Sequence, residues 1–176
     1  PTGNGYLDIT VSNQGACVIQ RDGSLACWGN DFRGWVSDAP PGPFRTFDSA
    51  CCHICALDVQ GAPQCWGYAG AIHEAAAPAG QAYDRIGVGT FYECGLRPDG
   101  EVDCWGWLGP TSTHYFGQDL PTQGPFDELS VASSHACGRR ASGDVSCWGQ
   151  DTSGQVSTAW TPSPPESFLI DGFDIG

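Results

Sequence analysis

The sequence predicts an all-β repeat protein: four units of about four short antiparallel strands each, with one disulfide across a hairpin of every unit. Three observations carry that expectation. A string ending in Cys-Trp-Gly returns four times; each copy holds two cysteines ten positions apart; and the chain has 25 Gly and 13 Pro but no Met and no Lys. The last feature describes a chain rich in turns and poor in strong helix formers.

The four strings run from Cys17 to Gly29 (CVIQRDGSLACWG), Cys55 to Gly67 (CALDVQGAPQCWG), Cys94 to Gly106 (CGLRPDGEVDCWG) and Cys137 to Gly149 (CGRRASGDVSCWG). Their second cysteines, Cys27, Cys65, Cys104 and Cys147, fall at periods of 38, 39 and 43 residues, the range of supersecondary repeats. Eleven residues before each first cysteine stands an aromatic: Tyr6, Phe44, Tyr83 and Phe126. Ile9, Phe47, Ile86 and Leu129 follow, then Val11, Ser49, Val88 and Val131, two sites with the period of a strand. About four short strands per unit is the usual content of a β-propeller blade.

Between the paired cysteines, a three-residue loop with Gly in the left-handed region accounts for the spacing. The loops are then 21–23, 59–61, 98–100 and 141–143, with Gly third each time, where positive φ is required. This register sets Cys17 opposite Cys27, Cys55 opposite Cys65, Cys94 opposite Cys104 and Cys137 opposite Cys147. Opposed residues at a non-hydrogen-bonded site lie ~4.5 Å apart at Cα, just inside disulfide range. On the same face the register pairs Ile19 with Leu25, Leu57 with Pro63, Leu96 with Val102 and Arg139 with Val145. The first three suit a buried ladder; in the fourth, Arg139 either faces solvent or finds a partner.

The string His53-Ile54-Cys55-Ala56-Leu57, a Gly-containing hairpin, and the run from Cys147 to Val156 (CWGQDTSGQV) resemble the repeat of the regulator-of-chromosome-condensation family. The cysteine-bearing form is similar to repeats in secreted bacterial proteins. The resemblance extends from about Tyr6 to Ser157 and implies propeller blades at about 6–43, 44–82, 83–125 and 126–157, followed by a Pro-rich tail over 158–176. Family propellers usually close with seven blades, and units two and three here lack the Gly-Gln-Val segment. No nucleotide-exchange or chromatin-binding residue transfers by position.

Ten cysteines point to an oxidising compartment, and the secreted or cell-surface space is the expected location. The chain starts at Pro1 without a recognisable signal peptide, as a processed product or excised fragment would. No apolar run is long enough to span a bilayer as a helix. A net charge of −13 repels phosphate backbones and anionic headgroups, so neither nucleic acid nor membrane insertion is expected.

Candidate sites are few. Cys51, Cys52, His53 and Cys55 offer soft zinc ligands, but Cys55 already has its hairpin partner, and a disulfide between Cys51 and Cys52 keeps the cysteine count even. Ser133-Ser134-His135 and Ser112-Thr113-His114 place hydroxyls beside imidazoles, yet strand neighbours point to opposite faces and make no triad. Asp22, Asp99 and Asp151 suggest hairpin chemistry rather than a calcium loop. No metal, cofactor or catalytic residue is expected. Aromatics in the variable connections, Trp35, Trp107, Tyr115, Phe116 and Trp160, are candidate binding residues. In the tail, Phe168, Leu169, Ile170 and Phe173 read as an orphan strand able to pair with a sheet edge on another subunit.

The resulting expectation is a non-catalytic extracellular structural or adhesive subunit that assembles with copies of itself into an oligomer or filament. The alternative is a secreted module that recognises a protein, as an inhibitor does, or a glycan through its aromatic loops.

Overall fold

In the computed structural model of the protein, residues 5–13, 15–51, 53–68, 77–106 and 124–157 are described. They form twelve strands: β1 (Tyr6–Val11), β2 (Gly15–Gln20), β3 (Leu25–Gly29), β4 (Phe44–Ala50), β5 (His53–Asp58), β6 (Pro63–Gly67), β7 (Arg85–Val88), β8 (Tyr92–Leu96), β9 (Val102–Gly106), β10 (Glu128–Val131), β11 (His135–Arg139) and β12 (Val145–Gly149). Each consecutive trio is one antiparallel meander, giving four sheets. Among the described residues a unit thus has three paired strands, against the four or so expected from its length.

The second hairpin of each unit has the anticipated register, with Cys17 opposite Cys27 and its three counterparts likewise. In the first unit Gln20 N–H donates to Ser24 O at 2.8 Å and Gly23 N–H to Gln20 O at 2.9 Å, closing a three-residue loop. The loop glycines Gly23, Gly61, Gly100 and Gly143 have φ of 83°, 87°, 85° and 93°, values that L side chains rarely adopt. A disulfide crosses every hairpin, with Cα separations of 4.1, 4.1, 4.1 and 4.0 Å, tighter than the ~4.5 Å of an unbridged pair. The Gly after each Trp is also left-handed; at Gly106 a Cβ would lie 2.7 Å from both Phe91 O and Tyr92 Cα.

Three features repeat where one unit meets the next. The first strands lie side by side: Thr46 Oγ1 donates to Asp8 at 2.8 Å, Thr10 and Ser49 hydroxyls meet at 2.8 Å, and Val88 N–H donates to Asp48 at 2.9 Å. The hairpin loop latches onto the next unit, because the amides of Phe44, Tyr83 and Phe126 donate to the carbonyls of Gly23, Gly61 and Gly100 at 2.8, 3.0 and 2.8 Å. Between these polar contacts lies the core. The sheet face carrying the cysteine bridge and the side chain two residues beyond its first cysteine packs on the Trp-bearing face of the following unit. Cys17 and Ile19 cluster with Phe44, Phe47, Ile54, Ala56 and Trp66; Leu57 with Tyr83 and Trp105; Leu96 and Val102 with Phe126, Ala136 and Trp148. Each Trp leans on the opening aromatic of its own unit, at ring separations of 6.4 Å (Phe44–Trp66), 5.3 Å (Tyr83–Trp105) and 6.0 Å (Phe126–Trp148).

Candidate functional site

Every seam among the described residues joins a cysteine face to a Trp face, and the Trp face of the first unit and the cysteine face of the fourth take part in none of these three. The Trp face of the first unit is the apolar one. Along β1 Asp8 and Thr10 pair with Ile19 and Cys17 and face the seam with unit two, while Ile9 and Val11 pair with Val18 and Ala16 on the opposite side; the register shifts between Tyr6 and Asp8. Ile9 and Val11 are 64% and 68% exposed, and Val18 beside them is buried at 3%. Trp28 is 40% exposed, whereas Trp66, Trp105 and Trp148, its counterparts in the same string, are 5%, 4% and 2% exposed. Leu7, at the register shift, stands where the other units carry Arg45, Asp84 and Asp127.

The cysteine face of the fourth unit is built differently. Ile19, Leu57 and Leu96 are buried at the internal seams, while Arg139 occupies their position in unit four. It answers the sequence-level question of what an arginine does there: its Nε donates to Glu128 Oε2 at 2.8 Å and its Nη2 lies 3.4 Å from Asp127 Oδ2. The hydrogen bond from Arg139, then its charge, hold the Glu128 carboxyl below its ordinary value, and the same bond raises the guanidinium's. Beside the pair runs an open groove of about 420 Å³ lined by Arg85, Glu128, Ser130, Cys137, Arg139 and Val145.

A second groove of about 560 Å³ crosses units two to four, with Arg45, Arg85 and Arg97 interleaved with Asp84 and Asp127. Arg45 lies 3.5 Å from Asp84 and donates to Tyr83 O, and Arg97 lies 3.4 Å from Asp99 and 3.7 Å from Asp103. The guanidinium groups of Arg45 and Arg97 are engaged by the protein's own acids.

Among the described residues one ionisable pair is fully buried. His53 Nε2 on β5 lies 2.9 Å from Glu93 Oε1 on β8, across the seam between units two and three, with both side chains without exposure. Cys55 Sγ lies in the same cluster, but it is bonded to Cys65 and offers no thiolate. The residues present therefore do not make a zinc site, and the pair joins two units inside the core.

The other sequence candidates are placed as follows. Trp35, expected in a binding loop, is a correction: it is fully buried in the seam between units one and two, where its carbonyl accepts the Trp66 indole N–H at 3.1 Å. Cys51 is an exposed free thiol at φ 24° rather than half of the bridge to Cys52 that parity suggested; Cys52 itself lies outside the described residues. Trp107, Tyr115, Phe116, Trp160, Phe168, Leu169, Ile170 and Phe173 lie outside them too, as does His114. Ser133 and Ser134 contribute backbone carbonyls to Thr90 N–H at 3.3 Å and Gln150 N–H at 2.9 Å. Asp22, Asp99 and Asp151 accept local amides: Ser24 at 2.9 Å, Glu101 at 3.1 Å, and Val156 and Ser157 at 2.8 and 3.1 Å. Hydrogen bonds from Ser24 and from Ser157 and Val156 hold the Asp22 and Asp151 carboxyls below their ordinary value.

The Regulator of chromosome condensation (RCC1) repeat matches residues 129–155, the body of unit four. No curated protein sequence matches the chain. Among solved structures, the ectodomain of the Physcomitrella patens receptor kinase CR4 is similar, with 27% identity, a TM-score of 0.69, and 82% of this chain aligned to 39% of that one. The ectodomain of the Arabidopsis thaliana receptor kinase ACR4 follows at 22% identity and a TM-score of 0.67, over 80% of this chain and 49% of that one. Prp20p from Saccharomyces cerevisiae, described with its binding properties to Gsp1p and histones, aligns at 16% identity and a TM-score of 0.64, over 85% of this chain and 47% of that one. The chain thus spans less than half the length of these propellers and carries the repeat and fold of their blades.

Proposed function

We propose that the chain is a non-catalytic extracellular interaction module that works by docking the open Trp face of its first unit onto protein. The exposure of Trp28, against three buried counterparts at the same repeat position, carries this reading. Four hairpin disulfides and the receptor ectodomains among its structural neighbours support an extracellular setting. A protein partner suits the face better than a glycan, since Ile9 and Val11 offer area and no hydrogen-bonding groups.

A second reading is a structural or adhesive subunit that stacks head to tail through the Trp face of unit one and the cysteine face of unit four. One experiment separates the two. A photo-crosslinking amino acid is placed at Ile9, with a control at Asp144, and the secreted protein is irradiated in its native medium. The module reading expects adducts of a distinct protein from position 9, several-fold above the control. Adducts of the chain with itself favour the stacked subunit, and yields no higher than at position 144 refute the use of this face.

A further inference from the structure

Apart from any docking by unit one, we infer that the seam between units two and three is a thiol-gated metal site: once the Cys55–Cys65 bridge is opened, His53, Glu93 and the two sulfurs hold a zinc-class divalent ion. The ligands converge by register. His53, two residues before Cys55, shares its face of β5, and Cys65 is the cross-strand partner of Cys55 on β6. Glu93, paired with Trp105 on β9, reaches in from the Trp face of unit three. His53 Nε2 and Glu93 Oε1 are 2.9 Å apart. One ligand atom from each of His53, Cys55 and Glu93 lies within 4.8 Å of the other two, and all three residues are without exposure. A tetrahedral zinc-class ion with bonds of about 2.0–2.3 Å spaces its ligands roughly 3.3–3.8 Å apart, so side-chain shifts of about 1 Å close the set around it.

Among the described residues no other seam is furnished in this way. At the His53 position the other units carry Gly15, Tyr92 and His135, and at the Glu93 position Ala16, Ile54 and Ala136. The donors also select a class of ion. Thiolates and an imidazole suit zinc and its neighbours, whereas calcium and magnesium take oxygen. Asp48, the partner of Cys55 on β4, interacts with His53 by charge and adds a second carboxylate beside the site, a field that favours a cation.

Disulfide and ion exclude each other. While the bridge is closed its sulfurs offer no thiolate, and the His53–Glu93 pair only joins the two units. A dithiol reductant supplies the two electrons and two protons that split the bridge into thiols, and is itself left as a disulfide. The ion then displaces both thiol protons and binds both sulfurs. It replaces the bridge between β5 and β6 and, through Glu93, ties unit three to them.

Two measurements test this on the full chain carrying Cys51→Ser and Cys52→Ser, which removes the cysteines outside the hairpins. In the first, Cys65→Ser leaves Cys55 as a thiol while the other three bridges stay closed. Folding is checked by circular dichroism, and cobalt(II), a zinc surrogate with a thiolate charge-transfer absorption, is titrated in. The expected result is one ion per chain, displaced by zinc, bound more than about tenfold more weakly once Glu93→Gln is added. The parent with its bridge closed should give no such absorption. In the second, the parent is reduced with a dithiol, freed of it without air, and alkylated in zinc or in magnesium. Zinc should slow labelling of Cys55 and Cys65 several-fold and leave the other three pairs unchanged. A folded Cys65→Ser chain that gives no absorption overturns the inference, and so does binding indifferent to Glu93→Gln. Where that variant does not fold, alkylation decides: protection of all four pairs alike, or of none, overturns it.

Discussion

Replacing Trp28 and Trp66 by Ala in separate variants measures whether the face of unit one is open in solution. A tryptophan carries roughly 200 Å² of contact area, and the two differ in exposure by 40% against 5%. That difference, about 70 Å² left in water, is worth ~1.8 kcal/mol at ~25 cal/mol per Å². Trp66 also donates its indole N–H to the Trp35 carbonyl at 3.1 Å, and losing that partner in a buried seam adds about 1 kcal/mol. Trp66→Ala is thus expected to cost about 2–3 kcal/mol more than Trp28→Ala. Equilibrium urea unfolding with disulfides intact, followed by far-ultraviolet circular dichroism, reads this as midpoints separated by about 0.7–3 M for slopes of 1–3 kcal/mol/M. Equal midpoint losses in dilute protein would mean that the chain itself covers Trp28, and the open-face reasoning would fail.

Three further outcomes follow from the core and the backbone. Glu93→Ala leaves His53 buried without its carboxylate and is expected to cost about 3–5 kcal/mol in the same unfolding assay, with Glu93→Gln milder because it keeps an acceptor. At Asp48, burial first of all raises the carboxyl above its ordinary value, against the amides of Val88 and Ser49. A raised folded value means the group opposes folding once ionised: the penalty is absent below the unfolded value and complete above the folded one. Melting temperatures of Asp48→Asn and wild type should coincide near about pH 3 and diverge in favour of Asn as pH rises through that window; a constant offset would refute it. Gly106→Ala forces a Cβ against the Phe91 carbonyl and Tyr92 Cα and is expected to cost about 1–3 kcal/mol. Gly143→Ala has the same sign of φ but open space around it and should lose only about 1 kcal/mol by comparison.

The hairpins were legible in the sequence because everything that specifies them is local. A left-handed Gly third in a three-residue loop fixes the register, and the register fixes which cysteines meet. The seams were legible only in kind. Trp28 and Trp66 sit in the same Cys-Trp-Gly string, so no local pattern distinguishes the one that is buried from the one that is not; burial depends on what packs against each from elsewhere in the chain. Trp35 misled for the related reason that a lone aromatic in a variable connection looks like a loop residue, while its ring fills the first seam. The His53–Glu93 pair escaped notice because its partners come from different units and different repeat positions. His135 repeats His53, but Glu93 has Ala16, Ile54 and Ala136 as its counterparts.

The two ends of the row differ in a way that solubility alone does not require. A sheet face that must remain in water is usually blunted with charge, and unit four follows that rule with Arg139, Glu128 and Asp127. Unit one breaks it: Ile9 and Val11 are exposed on its Trp face beside a Trp28 that is 40% exposed. The rest of the chain, at a net charge of −13 with twenty acids, shows no shortage of polar side chains. Ile9 and Val11 lie on the side of β1 away from unit two, where Asp8 and Thr10 make the contacts. The two faces thus differ in chemistry, exposed aliphatic side chains on one and an ion pair satisfied within its own unit on the other, and the aliphatic one offers the kind of area on which protein contacts are built.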